Sequence, residues 1–247
     1  MEALGIDIGG TGIKAAKVDT RTGTLVTERM RFPTPEPSTP KRVAKVVQET
    51  VRHFGYEGPV GCGFPGVIRG GVIRSAANVS KRWIGVRGDE LFKEATGLDF
   101  FLGNDADFAG LAEMRFGAGR GRKGLVIMLT FGTGIGTAFF MDGKLIPNVE
   151  LGHLEIQGHE AEKWASERAR IEGGLSFKRW AQRVNVYLRR MQAYFWPELF
   201  ILGGGASKEF EKFRKHLDVP CDLLPAELRN RAGVIGAALA AARGFRT

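Results

Sequence analysis

The chain has 247 residues, 43% hydrophobic and 26% charged, which suits one large or two modest globular domains and excludes a disordered chain. Lys and Arg number 36 against 27 Asp and Glu, a formal charge of +9, so the protein either favours phosphate-rich partners or is basic for solubility alone. Met1-Glu2-Ala3 lacks a secretion signal, the apolar run from Leu125 is broken by glycines, and Cys62 and Cys221 have no CxxC spacing. A cytoplasmic protein with no membrane span and no disulfide framework is expected.

The opening stretch "GIDIGGTGIKAAKV", Gly5 to Val18, predicts a β-hairpin: Leu4, Ile6 and Ile8 alternate, and Ile13, Ala15 and Val18 resume the pattern after the turn. Gly9, Gly10, Thr11 and Gly12 make that turn either a plain glycine turn or a cradle whose backbone N–H groups hold phosphate, with Asp7 and Lys14 on its two sides. Strand pattern continues through "GTLVTERMRFPTP". After a proline cluster, Val43, Val46, Val47, Val51 and Phe54 recur at helical spacing before Gly55. "GCGFPG" fits a dinucleotide fingerprint formally, but Pro65 lies inside it and strand rather than helix follows, so that reading is rejected.

A short helix is predicted from Asp89, a strand ending at Leu102 and a helix from about Ala106. "LTFGTGIGTAFF" then repeats the opening logic, with Gly132, Thr133 and Gly134 as a second glycine turn, so the chain reads as duplicated halves. In "PELFILGGGASKEFEKF" a third strand runs into Gly203, Gly204 and Gly205 ahead of a helix, which would offer N–H groups to an anion. The basic clusters Lys81-Arg82 and Arg120, Arg122 and Lys123 have acidic neighbours nearby, and neither a zinc finger nor an arginine-rich tail supports nucleic-acid binding.

Five ordered motifs, "DIGGTGIK" from Asp7, "GFPGVI" from Gly63, "GNDAD" from Gly103, "FGTGIG" from Phe131 and "ELGH" from Glu150, resemble the ROK family of sugar kinases over nearly the whole chain. "SAANVSKRWIG", "PNVELGH" and "WPELFILGGGASK" are most similar to its polyphosphate glucokinases. The resemblance implies an α/β protein of two ribonuclease-H-like (actin- and hexokinase-like) domains closing on a cleft. Residues 1–103 would form the smaller domain, with a helix near 231–247 packing back onto it, and 104–247 the larger.

It also implies a reaction: phosphoryl transfer from inorganic polyphosphate, with ATP as alternative donor, to the 6-hydroxyl of glucose, or of mannose or fructose. Asp105 would be the base; by residue type alone a helix N-cap is favoured, and the resemblance reverses that. Gly66, Asn78, Asn104, Asp105, Glu150, His153 and Glu162 would bind the sugar, with Asp107 a weaker candidate. The glycine turns and Lys14 would hold donor phosphates, Asp7 would hold Mg2+ through water, and Lys81, Arg82, Arg120, Arg122 and Lys123 mark a polyphosphate path. The cysteine-rich zinc loop of many ROK kinases is replaced by "GHLEIQGHEAEKWAS", so no zinc is expected, although His153 and His159 remain possible ligands. A homodimer is implied. A sugar-responsive ROK regulator would need a DNA-binding domain before the first hairpin, which begins at Gly5.

Overall fold

The computed structural model describes residues 1–245. The chain forms two units, Met1–Ala112 together with the chain from Arg231 onward, and Glu113–Asn230.

The first unit opens with β1 (Glu2–Ile8) and β2 (Gly12–Asp19), antiparallel with Ile8 opposite Ile13. The predicted long strand that follows is two short ones, β3 (Thr24–Leu25) and β4 (Met30–Pro33), both paired with β2. Helix α1 (Pro40–Phe54) buries Val43, Val47, Val51 and Phe54 on one face and ends where Gly55 turns left-handed. Strand β5 (Val60–Phe64) runs parallel to β1 and leads into the hairpin β6 (Ile68–Arg69) and β7 (Val72–Ile73). After α2 (Gly88–Thr96), β8 (Phe100–Asn104) runs parallel to β5, two residues beyond the predicted end at Leu102, and α3 (Asp105–Phe116) starts at once. The sheet order is β3-β2-β1-β5-β8, with β4 also on β2.

The second unit repeats this plan. Strands β9 (Leu125–Phe131), β10 (Ile135–Met141) and β11 (Lys144–Ile146) form an antiparallel meander. A small ribbon, β12 (Glu155–Ile156) with β13 (His159–Glu160), precedes helices α4 (Ala161–Ala165), α5 (Glu167–Glu172) and α6 (Phe177–Phe195). Strand β14 (Leu199–Gly204) lies parallel to β9; then come α7 (Phe210–Arg214) and β15 (Asp222–Pro225), parallel to β14. The order β11-β10-β9-β14-β15 matches the first sheet position for position: three antiparallel strands, then two parallel ones. Trp180, Tyr187, Phe131, Phe200 and Phe213 are fully buried in its core.

Helix α8 (Ala232–Ala242) returns the chain to the first unit and packs on β1 and β5. Its approach is backbone-close: a Cβ at Gly5 would stand 2.0 Å from the Val234 carbonyl oxygen, and one at Gly61 1.7 Å from that of Ala237. Glycine on the two strands and the alanine- and glycine-rich sequence of α8, interrupted by Val234, Ile235 and Leu239, allow this contact. Phe108 of α3 clusters with Ala237 and Ala240, which keeps the start of α3 in the first unit. The change of unit therefore falls between Ala112 and Glu113, later than residue 103.

Candidate active site

The first glycine turn closes with the Gly9 N–H donated to the Gly12 carbonyl at 3.1 Å. None of Gly9, Gly10 and Gly12 takes a positive φ, so left-handed turn chemistry is not the reason for glycine. Room is. A Cβ on Gly10 would lie 2.7 Å from the Asn78 carbonyl oxygen, and one on Gly12 2.5 Å from Arg31 Nε. Asn78, held at φ +59°, is thus packed directly on the turn. Lys14 Nζ donates to Asp7 Oδ2 at 2.9 Å, so the two residues read as flanking the turn form an ion pair beside it.

At the head of α3, Asn104 Oδ1 accepts the N–H groups of Ala106 and Asp107 at 2.8 and 3.1 Å. Asn104 is therefore the N-cap, and Asp105 is the first helical residue, half-buried, its Oδ1 accepting the Ala106 N–H at 2.8 Å. The two capping bonds from Ala106 and Asp107 thus go to Asn104. Asn104 is 5% exposed and its Nδ2 donates to the Gly66 carbonyl, so its amide ties the head of α3 to the Gly66 backbone. Asp107 is fully buried.

In the second unit Glu150, His153 and Glu162 come together. His153 Nδ1 lies 3.8 Å from Glu162 Oε1. Burial pushes the Glu150 carboxyl up; nearby His153 opposes this and the Glu162 charge adds to it. The segment carrying Glu150 and His153 is fixed by two residues the sequence did not single out. Thr137 Oγ1 donates to the Val149 carbonyl and accepts the Leu151 N–H, and the buried Tyr187 hydroxyl donates to the Leu151 carbonyl at 3.1 Å. Gly152 sits against β10, where a Cβ would be 2.1 Å from the Ile135 carbonyl oxygen.

Glu162 also reaches the second glycine turn: its Oε2 would be 2.2 Å from a Cβ on Gly134 and accepts the Ile135 N–H at 3.4 Å. The second glycine turn and Glu162 are one construction here, with Gly132 and Thr133 completing the turn between β9 and β10. His153 Nδ1 and carboxylate oxygens of Glu160 and Glu162 lie within 4.8 Å of one another, a nitrogen and oxygen set without sulfur; His159 is outside that group. Lys163 already binds Glu160 at 2.5 Å and holds its carboxyl below the ordinary range.

The third glycine run differs from expectation. Only Gly204 has a positive φ, and Gly205 opens a 3-10 turn, Gly205–Glu209, with α7 starting only at Phe210. Gly203 and Gly204 finish β14, so no α-helix N-terminus faces an anion at this point. The oxygen of Glu167 would lie 2.2 Å from a Cβ on Gly205. Among the basic residues, Lys81 and Arg82 are both exposed, and Lys81 Nζ is tied to the Ala76 carbonyl at 2.5 Å and braces the Asn78 loop. Arg120, Arg122 and Lys123 precede β9, at the end opposite to Gly132; seven residues of strand separate them by roughly 20 Å. Arg122 is paired with Asp222 at 2.7 Å.

Among the described residues no helix is long and apolar enough to cross a membrane. The chain is 47% identical to the polyphosphate glucokinase of Mycobacterium tuberculosis over 238 residues, 96% of this chain and 90% of that protein. A crystal structure of the inorganic polyphosphate/ATP-glucomannokinase from Arthrobacter sp. strain KM matches with TM-score 0.94 and 48% identity, covering 98% of this chain and 99% of that one. A ROK family glucokinase from Streptomyces griseus, solved with glucose and AMPPNP, matches with TM-score 0.85 and 25% identity, covering 99% of this chain and 100% of that one. With residues 3–169 matching the ROK family as well, this chain belongs to the ROK family.

Proposed function

We propose that the protein is a polyphosphate glucokinase: it moves the terminal phosphoryl group of inorganic polyphosphate to the 6-hydroxyl of glucose, leaving a polyphosphate one unit shorter. The observation that carries the reading is the head of α3, where Asn104 accepts the N–H groups of Ala106 and Asp107 and Asp105 stands half-buried as the first helical residue, the position we assign to the base. Support for the donor comes from the relatives of 47% and 48% identity, whose names give polyphosphate, and polyphosphate or ATP.

In this reading Glu150, His153 and Glu162 accept and donate hydrogen bonds to the sugar hydroxyls, with Asn78 and the Gly66 backbone as further contacts. An analogue lacking the matching hydroxyl leaves a half-buried carboxylate unpaired, at about 1–3 kcal/mol. Asp105 accepts the proton of the attacking hydroxyl as the O–P bond forms, and the donor chain leaves with the bridging oxygen. The glycine turns and Lys14 hold the donor phosphates. Asp7 fits a magnesium ion by the chemistry of its donor, a hard, partly exposed carboxylate oxygen, and Mg2+ is bound through few carboxylates and retained waters. Bound there, the ion would neutralise developing charge on the phosphates. A homodimer in the cytoplasm is part of the same reading.

A coupled assay of glucose 6-phosphate formation with polyphosphate or ATP as sole donor tests it. Turnover with polyphosphate is the expected result. Turnover with ATP alone would make this an ATP-dependent glucokinase, and mannose used in preference to glucose would revise the acceptor.

A further inference from the structure

Three charged residues stand in one row across the first sheet. Asp7 of β1 is directly opposite Lys14 of β2, and Lys14 is directly opposite Arg31 of β4. Directly opposed residues of antiparallel strands share a face, with Cβ atoms about 4.5–5.5 Å apart, and like charges placed so are destabilising. Asp7 answers Lys14. Arg31 makes no ion pair among the described residues, so the row carries one cation beyond its carboxylate.

That cation is held on the first glycine turn. Arg31 Nη2 donates to the Thr11 carbonyl at 2.7 Å, and its Nε would be 2.5 Å from a Cβ on Gly12, so the guanidinium lies against the turn. Three residues on, Thr34 Oγ1 donates to the Gly9 carbonyl at 2.6 Å. Strand β4 and its extension thus occupy two carbonyl groups of the turn, the groups that would repel an anion. Neither Gly10 nor Thr11 donates its N–H to another described residue. A guanidinium has five N–H donors in a planar fork that matches phosphate oxygens, and one bond to Thr11 leaves most of them for a ligand.

We infer that Arg31 is a donor-binding residue: with Lys14 it holds the phosphoanhydride chain at the first glycine turn, at a position common to polyphosphate and ATP. The inference rests on the proposed kinase activity for its kinetic readout. A role confined to bracing the turn predicts different behaviour. A direct contact adds a cation to the polyanion's partners and raises the salt dependence of binding, whereas a brace changes affinity without changing that dependence.

The test compares wild type, Arg31→Lys and Arg31→Gln, with KM for long-chain polyphosphate, ATP and glucose measured across a salt series. Arg31→Gln should raise KM for both donors about tenfold or more, the range for a charged hydrogen bond, and change glucose KM less than twofold. Its slope of log donor KM on log salt should fall by about 0.7, one released counterion. Arg31→Lys should keep the slope and recover part of the affinity. An unchanged slope in Arg31→Gln, or unchanged donor KM, overturns the inference. If wild type phosphorylates no sugar, the proposed function fails by itself, and calorimetric titration with tripolyphosphate decides the rest. Binding that weakens in Arg31→Gln and persists in Arg31→Lys supports the contact; equal binding by all three proteins refutes it.

Discussion

Glu113 Oε1 accepts the backbone N–H of Leu228 at 2.7 Å, a bond that joins residues 115 apart in sequence. Its other oxygen accepts the N–H groups of Ala118 and Glu227 at 3.0 and 3.2 Å, and the side chain is fully buried. One carboxylate thus ties the end of α3 to the segment after β15, within the second unit. Burial raises the Glu113 pKa above its ordinary value, and the three N–H bonds oppose this.

Glu113→Ala is expected to destabilise the protein by on the order of 3 kcal/mol, because buried N–H donors lose their partners. The pH dependence has a definite sign. With the folded pKa above the unfolded one, the folded state holds more protons between the two values. This group's contribution to stability therefore falls as pH rises through that window and is level above it. Glu113→Gln should flatten that part of the stability profile in denaturant melts taken across the window. A profile identical to wild type would assign the acid-side dependence to other groups.

Asp105→Asn should lower kcat by about 100-fold or more, the range for a positioned acid–base group, with the folded state retained. Asn104 supplies the contrast. Asn104→Ala removes the cap and should cost about 1 kcal/mol of stability as well as activity, since the cap sets where Asp105 begins the helix. Near-normal turnover in Asp105→Asn, with wild-type melting, would remove Asp105 from the chemistry.

Much of this arrangement is legible in the residues. The two glycine turns at Gly9 and Gly132, each between apolar alternations, give the duplicated sheets, because period-two patterning and tight turns are local properties. The cap is ambiguous in the sequence for a local reason too: adjacent Asn and Asp both suit it, and the observed helix start assigns it to Asn104. Arg31, Thr137, Tyr187 and Glu113 carry no local signal. Their partners, Thr11, Val149, Leu151 and Leu228, are brought to them by strand pairing and packing over long sequence separations. The turn glycines also meet a steric constraint that their own sequence does not show, since a Cβ clash with Asn78 or Arg31 depends on neighbours that the turn sequence does not contain.

Glucose binding should acquire a pH dependence from Glu150. If ionised Glu150 accepts sugar hydroxyls, glucose KM should rise on the acid side, starting at a higher pH than an ordinary glutamate would give, because burial raises this group. The Glu162 charge is a further cause of that rise. Glu162→Gln should therefore shift the acid limb to lower pH while raising glucose KM throughout. A limb that stays in place in Glu162→Gln would break the proposed coupling, and an unchanged glucose KM would remove Glu162 from the sugar site.

Salt separates the two donors. Each phosphate of a long polyphosphate carries about one charge, so several cation contacts should release counterions and make its KM rise with salt more steeply than that of ATP. Position decides which cations count. Arg82 is exposed beside the Asn78 loop that packs on the first glycine turn, whereas Lys81 is held by the Ala76 carbonyl and should matter for loop geometry. Arg82→Glu is accordingly expected to weaken long polyphosphate several-fold and to leave ATP and glucose KM within about twofold, as for an exposed charge that only a long chain reaches. Arg122 is engaged by Asp222 at the far end of β9 from Gly132, so Arg122→Glu should leave short donors unaffected. Parallel salt slopes for polyphosphate and ATP in wild type would mean that the positive charge contributes to solubility and not to the choice of donor.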